Sequence, residues 1–154
     1  MKGFVIRGKL GCYLQITLDE LFGFPKTTSH FGGYDVKGTV EIKSGSYFVM
    51  GELWFSTGEI YLFYNQLVQC YKDLEGVAKF CSSETNLEFE IKFRNRGQVF
   101  IQGAYKEFES LDNELKFEIE SNQSFYLETL EGLREIVNLY GDLKGVNDSN
   151  SSFG

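Results

Sequence analysis

The sequence predicts an α+β fold: a curved, mostly antiparallel sheet of about eight strands with two helices packed on it. Three observations predict this class. Apolar residues alternate with polar ones in a series of short segments, two longer segments switch to a helical period with start and stop signals, and several connections are hairpin turns. At 154 residues the chain is one domain of ordinary size, long enough to bury a core without disulfide or metal staples. A single proline and 16% aromatic content exclude a disordered or collagen-like chain. The domain is expected to span residues 1–146, with 147–154 as a mobile polar tail.

The elements follow in order. Phe4 to Ile6 forms a short strand, and Cys12, Leu14, Ile16 and Leu18 alternate with Tyr13, Gln15 and Thr17 in a second. Pro25, Gly32, Gly33 and the Thr-Thr-Ser run make residues 21–35 a loop. Tyr34, Val36, Val40 and Ile42 alternate with polar residues, the 43–46 segment turns, and Tyr47 to Phe55 returns as the hairpin partner. On that return strand Val49, Leu53 and Phe55 share one face, and Met50 and Trp54 the other.

The apolar period then changes to that of a helix, with Ile60, Phe63, Tyr64, Leu67, Cys70 or Tyr71, and Leu74 on one stripe. Ser56 and Glu59 have the spacing of a capping box, and Gly76 suits the exit. Strands follow at 77–82, 87–93, 99–105 and 114–120, with Asn95-Arg96-Gly97 as a turn. A second helix is expected from Ser124 to Tyr140, with Leu127, Leu130, Leu133 or Arg134, and Val137 as its stripe. Ser121 or Ser124 would cap it and Gly141 would end it. Whether the strands form one sheet or two stays open.

Cys12, Cys70 and Cys81 are odd in number and widely spaced; Cys70 and Cys81 fall where burial is expected, as reduced thiols. No pair has metal-ligand spacing and His30 is the one histidine, so neither a metal nor another cofactor is expected. The amino terminus has no apolar run of signal-peptide or membrane-span length, which makes a cytoplasmic protein the expectation.

Phosphate-loop, dinucleotide, nucleophile-elbow and metalloprotease motifs are absent from the sequence. His30 lies in a loop beside Ser29, where solvation accounts for it. Glu88/Glu90 and Glu118/Glu120 point the same way from their strands. Glycosidases use paired carboxylates, but glutamates on a wet sheet face more often serve solubility.

The charge is unevenly placed. Residues 1–81 hold eight basic and eight acidic residues, whereas residues 82–142 hold six basic and thirteen acidic, equal to the whole net charge of −7. The acids lie at Glu88, Glu90, Glu114, Glu118 and Glu120 on strands, at Glu107, Glu109 and Asp112 in a loop, and at Glu128, Glu131 and Glu135 on the last helix. This is either a solubility face or a surface matched to a basic partner. It disfavours nucleic acid as that partner, since carboxylates repel phosphate.

The run FPKTTSHFGGYDVKGTVEIKSGSYFVMGELWFSTGEIYLFYNQLVQCYKDLEGVAKF resembles the WapI-type immunity proteins of bacteria, as do NLEFEIKFRNRGQVFIQGAY and the Gly141-Asp142-Leu143-Lys144-Gly145 ending. The FGGYD loop, the EIKSG turn and the LWFSTGE junction occur in one order at one spacing, and the resemblance covers roughly residues 10 to 146. It implies a small cytoplasmic antitoxin, without an active site. Such a protein binds, one-to-one, the carboxy-terminal toxin segment of a large wall-associated or contact-dependent toxin encoded beside it.

Many such toxins are nucleases with basic grooves, and carboxylates presented to such a groove speed association. The expected toxin-binding set is therefore Glu88, Glu90, Glu107, Glu109, Asp112, Glu114, Glu118 and Glu120, with Tyr105 or Phe108 as an aromatic anchor. Two rivals remain. A small apolar-ligand module would reveal itself by a large dry cavity, and a carboxylate-pair enzyme by a bell-shaped pH profile.

Overall fold

Alternation along the strands builds two four-stranded antiparallel sheets, each in sequential order. The computed structural model describes residues 2–146, so the expected tail at 147–154 lies outside the described residues. The first sheet comprises β1 (Lys2–Arg7), β2 (Tyr13–Phe22), β3 (Asp35–Ser44) and β4 (Tyr47–Ser56), and leads into α1 (Thr57–Asp73). The second comprises β5 (Gly76–Cys81), β6 (Leu87–Phe93), β7 (Gln98–Tyr105) and β8 (Leu115–Asn122), and leads through a 3-10 turn into α2 (Tyr126–Tyr140). The chain thus runs twice through four strands and a helix, and the open question of one sheet or two is resolved as two.

The inward residues of both sheets and both helices meet in one hydrophobic core. Its centre is aromatic: Phe63 of α1 lies 5.9 Å from Phe80, 5.4 Å from Phe89 and 6.1 Å from Phe4, measured between ring centroids. The edge-to-face contacts with Phe80 and Phe89 add to the transfer energy of each ring, about 1.5–3 kcal/mol. The phenylalanines therefore fill the space between the sheets.

The helices cross over. Besides its neighbour α1, α2 packs on β1, and α1 packs on β5. The Thr129 hydroxyl donates to the Val5 carbonyl at 2.7 Å, and the Lys79 amide donates to the Gln66 side-chain oxygen at 2.9 Å. Each helix thereby satisfies main-chain groups on a sheet edge that water or another strand would otherwise take. Gly132 makes the α2 contact close: a Cβ there would lie 3.0 Å from the Gly3 carbonyl oxygen and 3.2 Å from the Phe4 Cβ.

Four local expectations are corrected. Helix α1 ends at Leu74, which takes the left-handed conformation (φ 56°), two residues before Gly76. Helix α2 begins at Tyr126, and neither Ser121 nor Ser124 caps this end: the Asn122 side chain accepts from the Ser124 amide, while the Ser121 hydroxyl donates to Arg7. Its buried face is Tyr126, Thr129, Leu133 and Ile136: of the expected stripe Leu133 is buried and Leu130 packs partly on the core, but Leu127 is exposed and Tyr126 takes its place. Cys81 is exposed because β5 turns Ala78 and Phe80 inward; Cys70 is buried as expected.

The entry to α1 joins three distant segments. Its first three amides are all satisfied: Thr57 donates to the Tyr34 carbonyl (2.9 Å), Gly58 to the Gly32 carbonyl (3.2 Å) and Glu59 to the Ser56 hydroxyl (3.1 Å). The Glu59 carboxylate accepts from the Ser56 amide at 2.7 Å, completing the expected capping box. The chain end closes over the same loop, with the Gly33 amide donating to Leu143 (2.8 Å) and the Val146 amide to the Tyr34 hydroxyl (3.0 Å).

Two outcomes follow from this junction. A Cβ at Gly58 would lie 2.5 Å from the backbone of Gly32, so Gly58→Ala is expected to cost about 1–3 kcal/mol in urea unfolding. Burial raises the Glu59 carboxyl above its ordinary value of 4.5, outweighing the hydrogen bonds from Ser56 and Ser83. The folded state then binds the proton more tightly than the unfolded state, so this group's contribution to stability falls as pH rises from 4.5 through the raised value. Subtracting the unfolding profile of Glu59→Gln from that of the wild type isolates this decline.

Candidate partner-binding surface

Pairing between strands determines which charges share a face. On the outer face of the second sheet the register aligns Val77, Lys92, Phe100 and Glu120 in one row, and Lys79, Glu90, Gln102 and Glu118 in the next. Cys81, Glu88, Ala104 and Lys116 form a third. Glu88, Glu90, Glu118 and Glu120 do lie together, but Lys79, Lys92 and Lys116 stand among them. This face is a shallow open concavity of mixed sign, floored by Gln102 and Ala104.

Two of the three acids of the last helix, and Glu120 at the end of β8, are also matched. Glu128 pairs with Arg7 (2.8 Å), Glu135 with Lys2 (3.2 Å) and Glu120 with Lys9 (3.9 Å), so the first sheet supplies cations to the acidic half. Exposed pairs of this kind contribute little stability but cancel local potential. Glu114 lies 3.9 Å from Lys116.

Among the described residues, Glu88, Glu90, Glu118 and Glu131 have no cation within 4 Å, and the loop between β7 and β8 adds a further unpaired group. Among the described residues, Glu107, Glu109 and Asp112 have no cation within 4 Å, and all three are exposed. Phe108 and Leu111 project between them, 57% and 49% exposed, with the Leu111 amide closing a turn onto the Phe108 carbonyl. The loop therefore combines negative charge with exposed apolar surface.

Tyr105 anchors the start of this loop. It is buried, and its hydroxyl donates to the Glu52 carbonyl of β4 at 2.7 Å, so of the two expected anchors only Phe108 is presented to solvent. Burial, followed by the charges of Glu107 and Glu52, pushes the Tyr105 hydroxyl well above its ordinary value of 10.0 and keeps it a donor. Gly51 makes room for the contact: a Cβ there would overlap the Tyr105 hydroxyl and lie 2.8 Å from the Glu107 carboxylate.

The loop consequently sits against β4, an association that sequence reasoning did not make. Tyr47, Phe48 and Met50 of that strand are all more than half exposed. Phe48 and Met50 occupy the outward phase with Trp54, opposite to Val49, Leu53 and Phe55; three large apolar residues on that face were the signal available. His30 is exposed beside Phe31.

The model of the immunity protein WapI-like family matches residues 5–141. The chain belongs to that family. Family membership assigns it to toxin immunity in general, a role that is generally non-enzymatic and implies binding a cognate toxin. No curated protein and no solved structure matches the chain. The FGGYD and LWFSTGE segments that carry the family likeness are the two sides of the α1 entry, so in this immunity protein they are structural. Among the described residues, no helix is long and apolar enough to cross a membrane.

Replacing Tyr105 by Phe leaves the Glu52 carbonyl without its donor and is expected to cost about 1–3 kcal/mol. Urea unfolding of the two proteins at neutral pH measures the difference.

Proposed function

We propose that this protein neutralises the carboxy-terminal segment of a large wall-associated or contact-dependent toxin by binding it one-to-one in the cytoplasm, and that the toxin is a nuclease with a basic groove. The observation that carries this reading is the uncompensated loop, where Glu107, Glu109 and Asp112 surround the exposed Phe108 and Leu111. Carboxylates there steer a basic partner, and Phe108 supplies the apolar anchor that a durable complex needs. Glu88, Glu90, Glu114, Glu118 and Glu120 form the mixed flank of the contact, while Tyr105 holds the loop in place.

Inhibition needs no catalytic group, and the chain acts as a ligand for its toxin and not as an enzyme. The packed phenylalanines and the open outer concavity favour this reading over a module for a small apolar ligand.

Co-expression with the toxin segment encoded beside the gene is expected to restore growth, and the purified pair to form a one-to-one complex. Replacing Glu107, Glu109 and Asp112 together by lysine is expected to slow association about tenfold or more and to flatten its dependence on salt, measured by stopped-flow mixing at two ionic strengths. Unchanged association kinetics would remove the loop from the interface.

A further inference from the structure

Four strands form the edges of the two sheets: β1, β4, β5 and β8. Helix α2 lies along β1 and helix α1 along β5, each supplying a side-chain hydrogen bond to the edge. Strand β8 abuts the first sheet, where the Ser44 hydroxyl donates to the Glu118 carbonyl at 3.3 Å and the Ser121 hydroxyl donates to the Arg7 carbonyl at 2.6 Å. The first half of β4 has no such cover.

Its main chain can be oriented from one contact. The Glu52 carbonyl accepts from Tyr105 and so points away from β3. In an antiparallel pair the N–H and C=O of one residue point to the same side, and successive residues alternate. Met50 and Phe48 therefore also direct both main-chain groups away from β3. Among the described residues, no hydrogen bond from a loop or side chain reaches either residue's main chain. Their side chains are 59% and 56% exposed. From Ser46 to Gly51 the strand has no charge and no proline, the devices that ordinarily protect an edge.

We infer that Tyr47–Gly51 of β4 is a pairing edge that accepts an extended, basic segment of the toxin as an added strand. This rests on the immunity reading above and assigns the main-chain part of the same contact. Two hydrogen-bond donors and two acceptors at Phe48 and Met50 would form the ladder, and their side chains would offer an apolar track for alternate residues of the added strand. The surroundings select the occupant. Glu41 stands opposite Met50 in the register and the Glu107 carboxylate borders Gly51, against one cation, Lys43, opposite Phe48; Glu52 is already paired with Lys37 at 3.4 Å. A second copy pairing here would bring these carboxylates together on chains that each carry a net charge of −7, whereas a strand bearing Lys or Arg would be drawn to them.

The test is NMR-detected hydrogen exchange of the full chain, alone and with the toxin segment encoded beside its gene. The expected result is that the Phe48 and Met50 amides exchange freely in the isolated protein and at least about tenfold more slowly in the complex. Met50→Pro, which deletes an outward N–H without touching the ladder to β3, is expected to weaken binding about tenfold or more, while Met50→Leu binds as the wild type. Should the proline variant fail to fold, the exchange measurement on the wild type decides alone. A complex that forms without protecting the two amides overturns the strand placement and leaves the immunity reading intact. Failure of the toxin segment to bind, with no rescue of growth, overturns both. Protection that appears without toxin and rises with protein concentration assigns the edge to a second copy and overturns the proposed occupant.

Discussion

The amino end of α1 is the contact on which the rest of the structure depends. A helix begins with unpaired amides, and here they are met by carbonyls of a loop more than twenty residues earlier and by the Ser56 side chain. The exchange works only if the two backbones approach closely, which is why a Cβ on Gly33 would run into Thr57 and Gly58, and one on Gly58 into Gly32. The same loop receives the end of the domain through Leu143 and Val146. One junction thereby fixes the direction of α1, the path of the long loop after β2 and the position of the last described residues.

From that junction the two halves of the chain complete one another. Neither four-stranded sheet can bury its apolar face alone. Each finds it against the other sheet and the two helices, with Phe63 at the centre. Since α1 and α2 also occupy the outer edges of β5 and β1, the helices close the core and protect the sheets at once. Of the edges they do not reach, β8 abuts the first sheet, where Ser44 of β3 meets Glu118, while Tyr105 of β7 reaches the Glu52 carbonyl of β4.

This arrangement concentrates the electrostatics. The acidic second half of the chain does not become an acidic face, because Lys79 joins the outer rows of the second sheet and Lys2, Arg7 and Lys9 pair with carboxylates of α2 and β8. Negative charge survives without nearby cations in the loop after Tyr105, and that loop is held against the uncapped half of β4. A binding protein gains from this placement: steering charge, an exposed aromatic and an open strand edge lie within one surface.

The sequence by itself determined the local elements. Side-chain periods of two and of about 3.6 residues are properties of the backbone, so the strands, both helices, the Ser56–Glu59 capping box and the Gly141 stop were legible without coordinates. The family likeness was legible as well, since its motifs are contiguous segments. Tertiary structure decided whatever depends on distant partners. The face of α2 is one example: its stripe can begin at Leu127 or at Tyr126, and the choice was made by the Thr129 bond to Val5 and the close approach at Gly132. The burial of Tyr105, the exposure of Cys81, the division into two sheets and the partners of each carboxylate are others. Charge adds along a chain irrespective of order, but potential depends on distance, and only the folded register brings Lys79 beside Glu90 and leaves Glu107 beside β4.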